Sequence, residues 1–116
     1  MTATKHTPGP WIACGYWVEH PDYRQNDICN CDPASMHQQG RSDSEIRANT
    51  VLIAAAPDLL AELEAAHHII RHALAVMTTE QKEAWGRLNA AANVDGEGIT
   101  RANEREAVIA KAGGST

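Results

Sequence analysis

An α+β fold, with short N-terminal antiparallel strands followed by long amphipathic helices, is predicted by three features of this sequence. An aromatic and β-branched run follows two prolines, apolar residues recur at helical spacing through the middle of the chain, and capping signals open separate helices. At 116 residues the chain is sized for one domain. It divides in sequence into a polar lead (1–10), a strand region (11–33), a helical region (42–112) and a short tail (113–116) expected to be disordered.

The lead ends in His6-Thr7-Pro8-Gly9-Pro10, where two prolines fix φ and withhold two backbone donors, so a new element must begin at Trp11. From Trp11 to Val18 the aromatic and β-branched side chains suit a pleated surface, predicting one strand with a bulge at Gly15. In that strand Trp11 and Trp17 share a face unless the bulge resets the phase, and Tyr16 takes the other. His20-Pro21-Asp22 signals a turn, and a second strand is expected over Ile28–Cys31, ended by Asp32-Pro33. Two short strands are not stable alone in water, so another strand, a helix or a neighbouring subunit must cover them. Residues 34–44 read as a polar loop.

Ser42 and Glu45 stand at capping-box spacing and open the helical region. Leu52, Ala56, Leu59, Leu63, Ala66, Ile70, Leu74 and Met77 then recur in steps of three and four, the stripe of a helix meeting another helix. Pro57 lacks the N–H that would bond the carbonyl of Ile53. The run is therefore expected either to kink there or, as favoured, to break into a helix at 43–55 and a longer one opened by Pro57 at its first position, covering 57–77. Thr78 and Gln81 start a further helix with Trp85, Leu88 and Ala92 on its buried face, antiparallel to the preceding one. Asp95-Gly96-Glu97-Gly98 reads as a loop, and Thr100–Ala112 as a weakly apolar helix that docks loosely or on a neighbouring chain.

The core inventory has no Phe, three Trp and two Tyr, with abundant Ala, so each side chain contributes little apolar area. A thin core of this kind predicts a homo-oligomer. A net charge of −5 argues against a protein that tracks duplex nucleic acid, which needs clustered Lys and Arg to displace counterions. No run of apolar residues is long enough for a membrane span, and the N-terminus has no apolar signal region. A soluble protein is expected, left in the compartment where it is made.

Cys14, Cys29 and Cys31 are an odd set without secretory context, which favours free thiols. Cys29 and Cys31 share a face in an extended segment, but the paired knuckles of a structural zinc site are missing, so they read as small half-buried strand residues. His68 and His72 share a helix face as metal-ligating histidines do; beside the apolar stripe, His67, His68 and His72 read instead as cover for a helix pair. No metal or cofactor is expected. The sequence has no nucleophile elbow, phosphate loop or paired metal-binding carboxylates, so it reads as a binding protein and not an enzyme.

The residues that suit binding lie around the strands and the first helix. Tyr16, Trp17 and Tyr23 offer aromatic planes with Arg24 adjacent, the combination that stacks a base and holds its phosphate. Those planes equally suit a core that lacks Phe, and Trp11 fits that role best. Arg41 and Arg47 flank a helix start, where backbone donors favour an anion, and Asn49 lies half a turn further on. The plainer reading of Arg47 is a surface pair with Asp43 or Glu45.

His6-Thr7-Pro8-Gly9-Pro10-Trp11 and the stretch Arg47-Ala48-Asn49-Thr50-Val51-Leu52-Ile53-Ala54-Ala55-Ala56-Pro57-Asp58-Leu59-Leu60 resemble a family of small bacteriophage and prophage proteins. The resemblance covers about residues 6–64. The layout also resembles the phage anti-defence sponges that sequester cyclic ADP-ribose isomers or cyclic oligonucleotides made by Thoeris and CBASS systems. That resemblance implies a non-enzymatic oligomer in the host bacterial cytoplasm that binds a small nucleotide-derived ligand, with Tyr16, Trp17, Tyr23, Arg24, Arg41, Arg47 and Asn49 as candidate contacts from the local reading above. The alternatives are a protein–protein inhibitor of a host defence complex, as anti-CRISPR proteins are, or a phage structural or regulatory protein.

Overall fold

The computed structural model describes residues 6–22, 27–35, 38–94 and 99–113. Among the described residues it has the α+β layout, three short antiparallel strands followed by four helices, and the chain divides into two compact units, Met1–Ala61 and Glu62–Thr116.

In the first unit, β1 (Ile12–Cys14), β2 (Trp17–Glu19) and β3 (Cys29–Asn30) form an antiparallel sheet in the order β1-β2-β3. The single bulged strand expected over 11–18 is instead a hairpin. Cys14 lies opposite Trp17, leaving Gly15 and Tyr16 as a two-residue loop. Gly15 has φ +63 while Tyr16 is not in the left-handed region; positive φ at the first central position alone is the sign of a type II′ turn, whose twist matches the strands it joins. Tyr16 therefore sits in the turn and not on a strand face, while Trp17 shares a face with Ile12 and Cys14 by register. The strand expected over 28–31 is present: Val18 pairs with Cys29, and the ladder continues through Ile28 N to Val18 O (2.7 Å) and Cys31 N to Tyr16 O (2.8 Å).

Helix α1 (Asp43–Ala54) opens where expected, with Ser42 Oγ accepting from Glu45 N at 3.1 Å. It packs on β1 and β2 through Ile46, Thr50 and Ala54, each four residues after the last, against the fully buried Val18. The Thr50 hydroxyl is satisfied inside the helix, donating to Ile46 O at 2.9 Å. The predicted stripe does not hold here, because Leu52 is 61% exposed on the far side of α1. Spacing identified an amphipathic helix, but the sheet selected a different face of it.

Ala55 interrupts the helical run, and α2 (Ala56–Val76) follows with Pro57 at its second position, not its first. Either place lies in the first turn, where a missing N–H leaves no helical acceptor unsatisfied. Gly9 packs against this proline: a Cβ on Gly9 would lie 3.1 Å from Pro57 Cβ, a contact so tight that the proline would have to give by a few tenths of an ångström. The Thr7 carbonyl accepts from Trp11 Nε1 and from His6 Nδ1, both at 3.0 Å, and the two rings stand edge to face.

In the second unit, Leu63, Ala66, Ile70, Leu74 and Met77 of the stripe are half-buried, and His67 is the buried residue of α2. The capping box at Thr78 and Gln81 is complete and opens α3 (Thr79–Ala91). That helix ends in a Schellman motif, with Asn93 at φ +58, Asn93 N bonded to Ala90 O (3.0 Å) and Val94 N to Asn89 O (2.9 Å). Leu88, expected on the buried face, is 69% exposed, while Trp85 is half-buried. Helix α4 (Ile99–Ala112) is tied to α2 by Arg105 Nε, which donates to His67 Nδ1 at 2.9 Å. A ring nitrogen that accepts is unprotonated, so this bond places the imidazole proton on Nε2. The loop expected at 95–98 and the tail from 114 lie outside the described residues.

Candidate ligand site at the hairpin turn and the start of α1

The hairpin turn carries Tyr16 to the first residues of α1. The Tyr16 hydroxyl donates to Asp43 Oδ1. Arg47, one turn along the helix, donates through Nε to Asp43 Oδ2 at 3.0 Å and through Nη2 to the Tyr16 oxygen at 3.1 Å. Its guanidinium carbon stands 4.5 Å from the Tyr16 ring centroid, within cation–π range. Three side chains from two elements thus form one closed polar cluster.

The Tyr16 hydrogen bond, followed by that from Arg47, holds the Asp43 carboxyl below the usual carboxylate range. The hydrogen bonds from Arg47 to Asp43 and then to Tyr16 push the guanidinium further toward its charged form. Both side chains are more than half exposed, at 53% for Arg47 and 61% for Asp43, so solvent screening keeps this pair weak as a source of stability. A contact that costs little to open is suited to exchange with a ligand.

Trp17 adjoins the cluster, its ring 6.3 Å from that of Tyr16, and is 36% exposed. Arg41 lies just before α1, with Nε 3.9 Å from Glu45 Oε1. Asn49 is exposed on α1, but two residues past Arg47 turns it about 200° around the axis, away from the cluster. Tyr23 and Arg24 lie outside the described residues. The structure therefore gathers Tyr16, Trp17 and Arg47, and adds Asp43 as the group that links them. The i,i+4 spacing of Asp43 and Arg47 gave half of that link; the Tyr16 half depends on the hairpin turn.

Among the described residues, no group of three or more His, Cys, Asp or Glu side chains is gathered for a metal ion. His68 and His72 have ring centroids 6.5 Å apart on α2. No helix among the described residues is long and apolar enough to cross a membrane.

Fold and cluster together define a small α+β protein that presents an aromatic and guanidinium surface beside a helix start. The chain belongs to the family described as Salmonella phage P22 protein Y8K6, whose model matches residues 1–116. This agrees with the expected phage small-protein family, and the description assigns no activity. Comparison with curated proteins and with solved structures gives no match.

Proposed function

We propose that this phage protein counters host defence by sequestering a small anionic, nucleotide-derived signal, a cyclic ADP-ribose isomer or a cyclic oligonucleotide, at the Tyr16–Arg47 cluster. The observation that carries the reading is the Asp43 carboxylate, which accepts from both Tyr16 and Arg47. Its oxygens occupy places that phosphate oxygens would take, and Arg47 is a residue that pairs with either. Trp17, exposed beside Tyr16, offers the plane for a base. The protein acts by binding alone, without turnover, in the host cytoplasm.

Self-association accompanies binding in this reading. Ile69 and Val76, seven residues apart within α2, are 66% and 81% exposed. Apolar residues at that spacing form a seam for another helix. Light scattering that returned a monomer mass at all concentrations would count against an oligomer. The same exposed residues, with the net charge of −5, also favour a second reading in which the protein inhibits a host defence complex by direct contact.

Isothermal titration against a panel of cyclic nucleotides and cyclic ADP-ribose isomers tests the leading reading. Binding that is abolished by Arg47→Ala and weakened by Tyr16→Phe is expected. Absence of heat with every compound, alongside capture of a host protein in salt-sensitive pull-downs, would transfer support to the second reading.

A further inference from the structure

We propose that Cys29 and Cys31 form a two-sulfur chelate for a thiophilic divalent ion of the zinc type. The two thiols are free, and their Sγ atoms lie 3.7 Å apart. A tetrahedral ion with Zn–S bonds of about 2.3 Å holds its two sulfurs about 3.8 Å apart. In the empty protein a thiol–thiol hydrogen bond holds the sulfurs at this separation, which is close to the bite such an ion requires.

The strand explains the spacing. Residues two apart point to the same face, and β3 is extended by the bond from Cys31 N to Tyr16 O, so both thiols are aligned along one edge of the sheet. Two residues of strand separate their Cα atoms by roughly 6.6 Å, at the upper end of what a disulfide spans, and its sulfurs must close to about 2.05 Å. The geometry therefore favours chelation over oxidation to a disulfide.

Among the described residues no third His, Cys, Asp or Glu joins the pair, so an ion held there would take its remaining ligands from water or an added molecule. Cys14 lies opposite Trp17 on the other face of the sheet, by register. His20 shares the face of Val18, but its Nδ1 accepts from Asp22 N at 3.1 Å. The inference is independent of the ligand site at Tyr16 and Arg47.

Titration of the fully reduced protein with cobalt(II), under nitrogen, tests it. A thiolate-to-metal charge-transfer band saturating at one ion per chain is expected, bleached by zinc, which binds nitrogen and sulfur sites more tightly than cobalt. The band should disappear in Cys29→Ser and Cys31→Ser and persist in Cys14→Ser. Because Cys31 is buried, circular dichroism must show each variant folded, and the half-buried Cys29 supplies the decisive variant should Cys31→Ser unfold. No charge-transfer band, or a band that survives Cys29→Ser or requires Cys14, would overturn the proposal.

Discussion

Replacing Ile46 with alanine removes the largest of the side chains that α1 buries against the sheet. Ile46 is 2% exposed beside the fully buried Val18 and Thr50. Three buried carbons at about 0.8 kcal/mol each give roughly 2.4 kcal/mol, and the residual cavity raises the total to about 3 to 4 kcal/mol. Against the 5 to 15 kcal/mol typical of small domains, roughly, that is a severe loss. Urea unfolding followed by Trp11 and Trp17 fluorescence, in a Trp85→Phe background, reports on the first unit. Thr50→Val is the control: it keeps the buried shape and loses one hydroxyl bond to a carbonyl that retains its helical partner, so about 1 kcal/mol or less is expected. Ile46→Ala within about 1 kcal/mol of the parent, or Thr50→Val as costly as Ile46→Ala, would refute a core built from α1 on β2.

Three further predictions concern local chemistry. Gly86 lies inside α3 with open space where a Cβ would stand, so Gly86→Ala should raise stability by about 1 kcal/mol, seen as a higher thermal midpoint. Thr78→Ala removes the capping-box acceptor for Gln81 N and should cost about 1 kcal/mol, measured by the same melt and restored by Thr78→Ser. The depressed Asp43 carboxyl contributes stability that is present above the ordinary aspartate value of about 3.9 and is lost as pH falls through its lower folded value. Asp43→Asn should therefore be the less stable protein at neutral pH, and the difference should close below about pH 3.9; a difference that widened in acid would contradict the assigned hydrogen bonds.

Much of the fold is legible in the sequence where a local signal has a single structural answer. Thr78 with Gln81 gives a capping box whatever surrounds it, and Pro57 requires a helix start near its own position. The hairpin was hidden because Gly15 fits both a bulge and the first place of a type II′ turn, and only strand pairing distinguishes them. The exposed Leu52 shows a different gap: spacing reveals that a helix has an apolar side, while the partner that covers that side is a tertiary fact. Arg47 was identifiable from its place near a helix start, and its i,i+4 pairing with Asp43 followed from spacing. Tyr16 reaches them across 27 residues of chain, through a contact that no local pattern encodes.

Backbone amide and arginine side-chain NMR during titration with cyclic ADP-ribose isomers and cyclic dinucleotides locates the ligand directly. Shifts concentrated at Gly15, Tyr16, Trp17, Asp43 and the Arg47 Nε–H, absent in Arg47→Ala, are the predicted result. Saturable shifts confined to the second unit, or none at any of these five positions, would contradict an anion site at the hairpin turn.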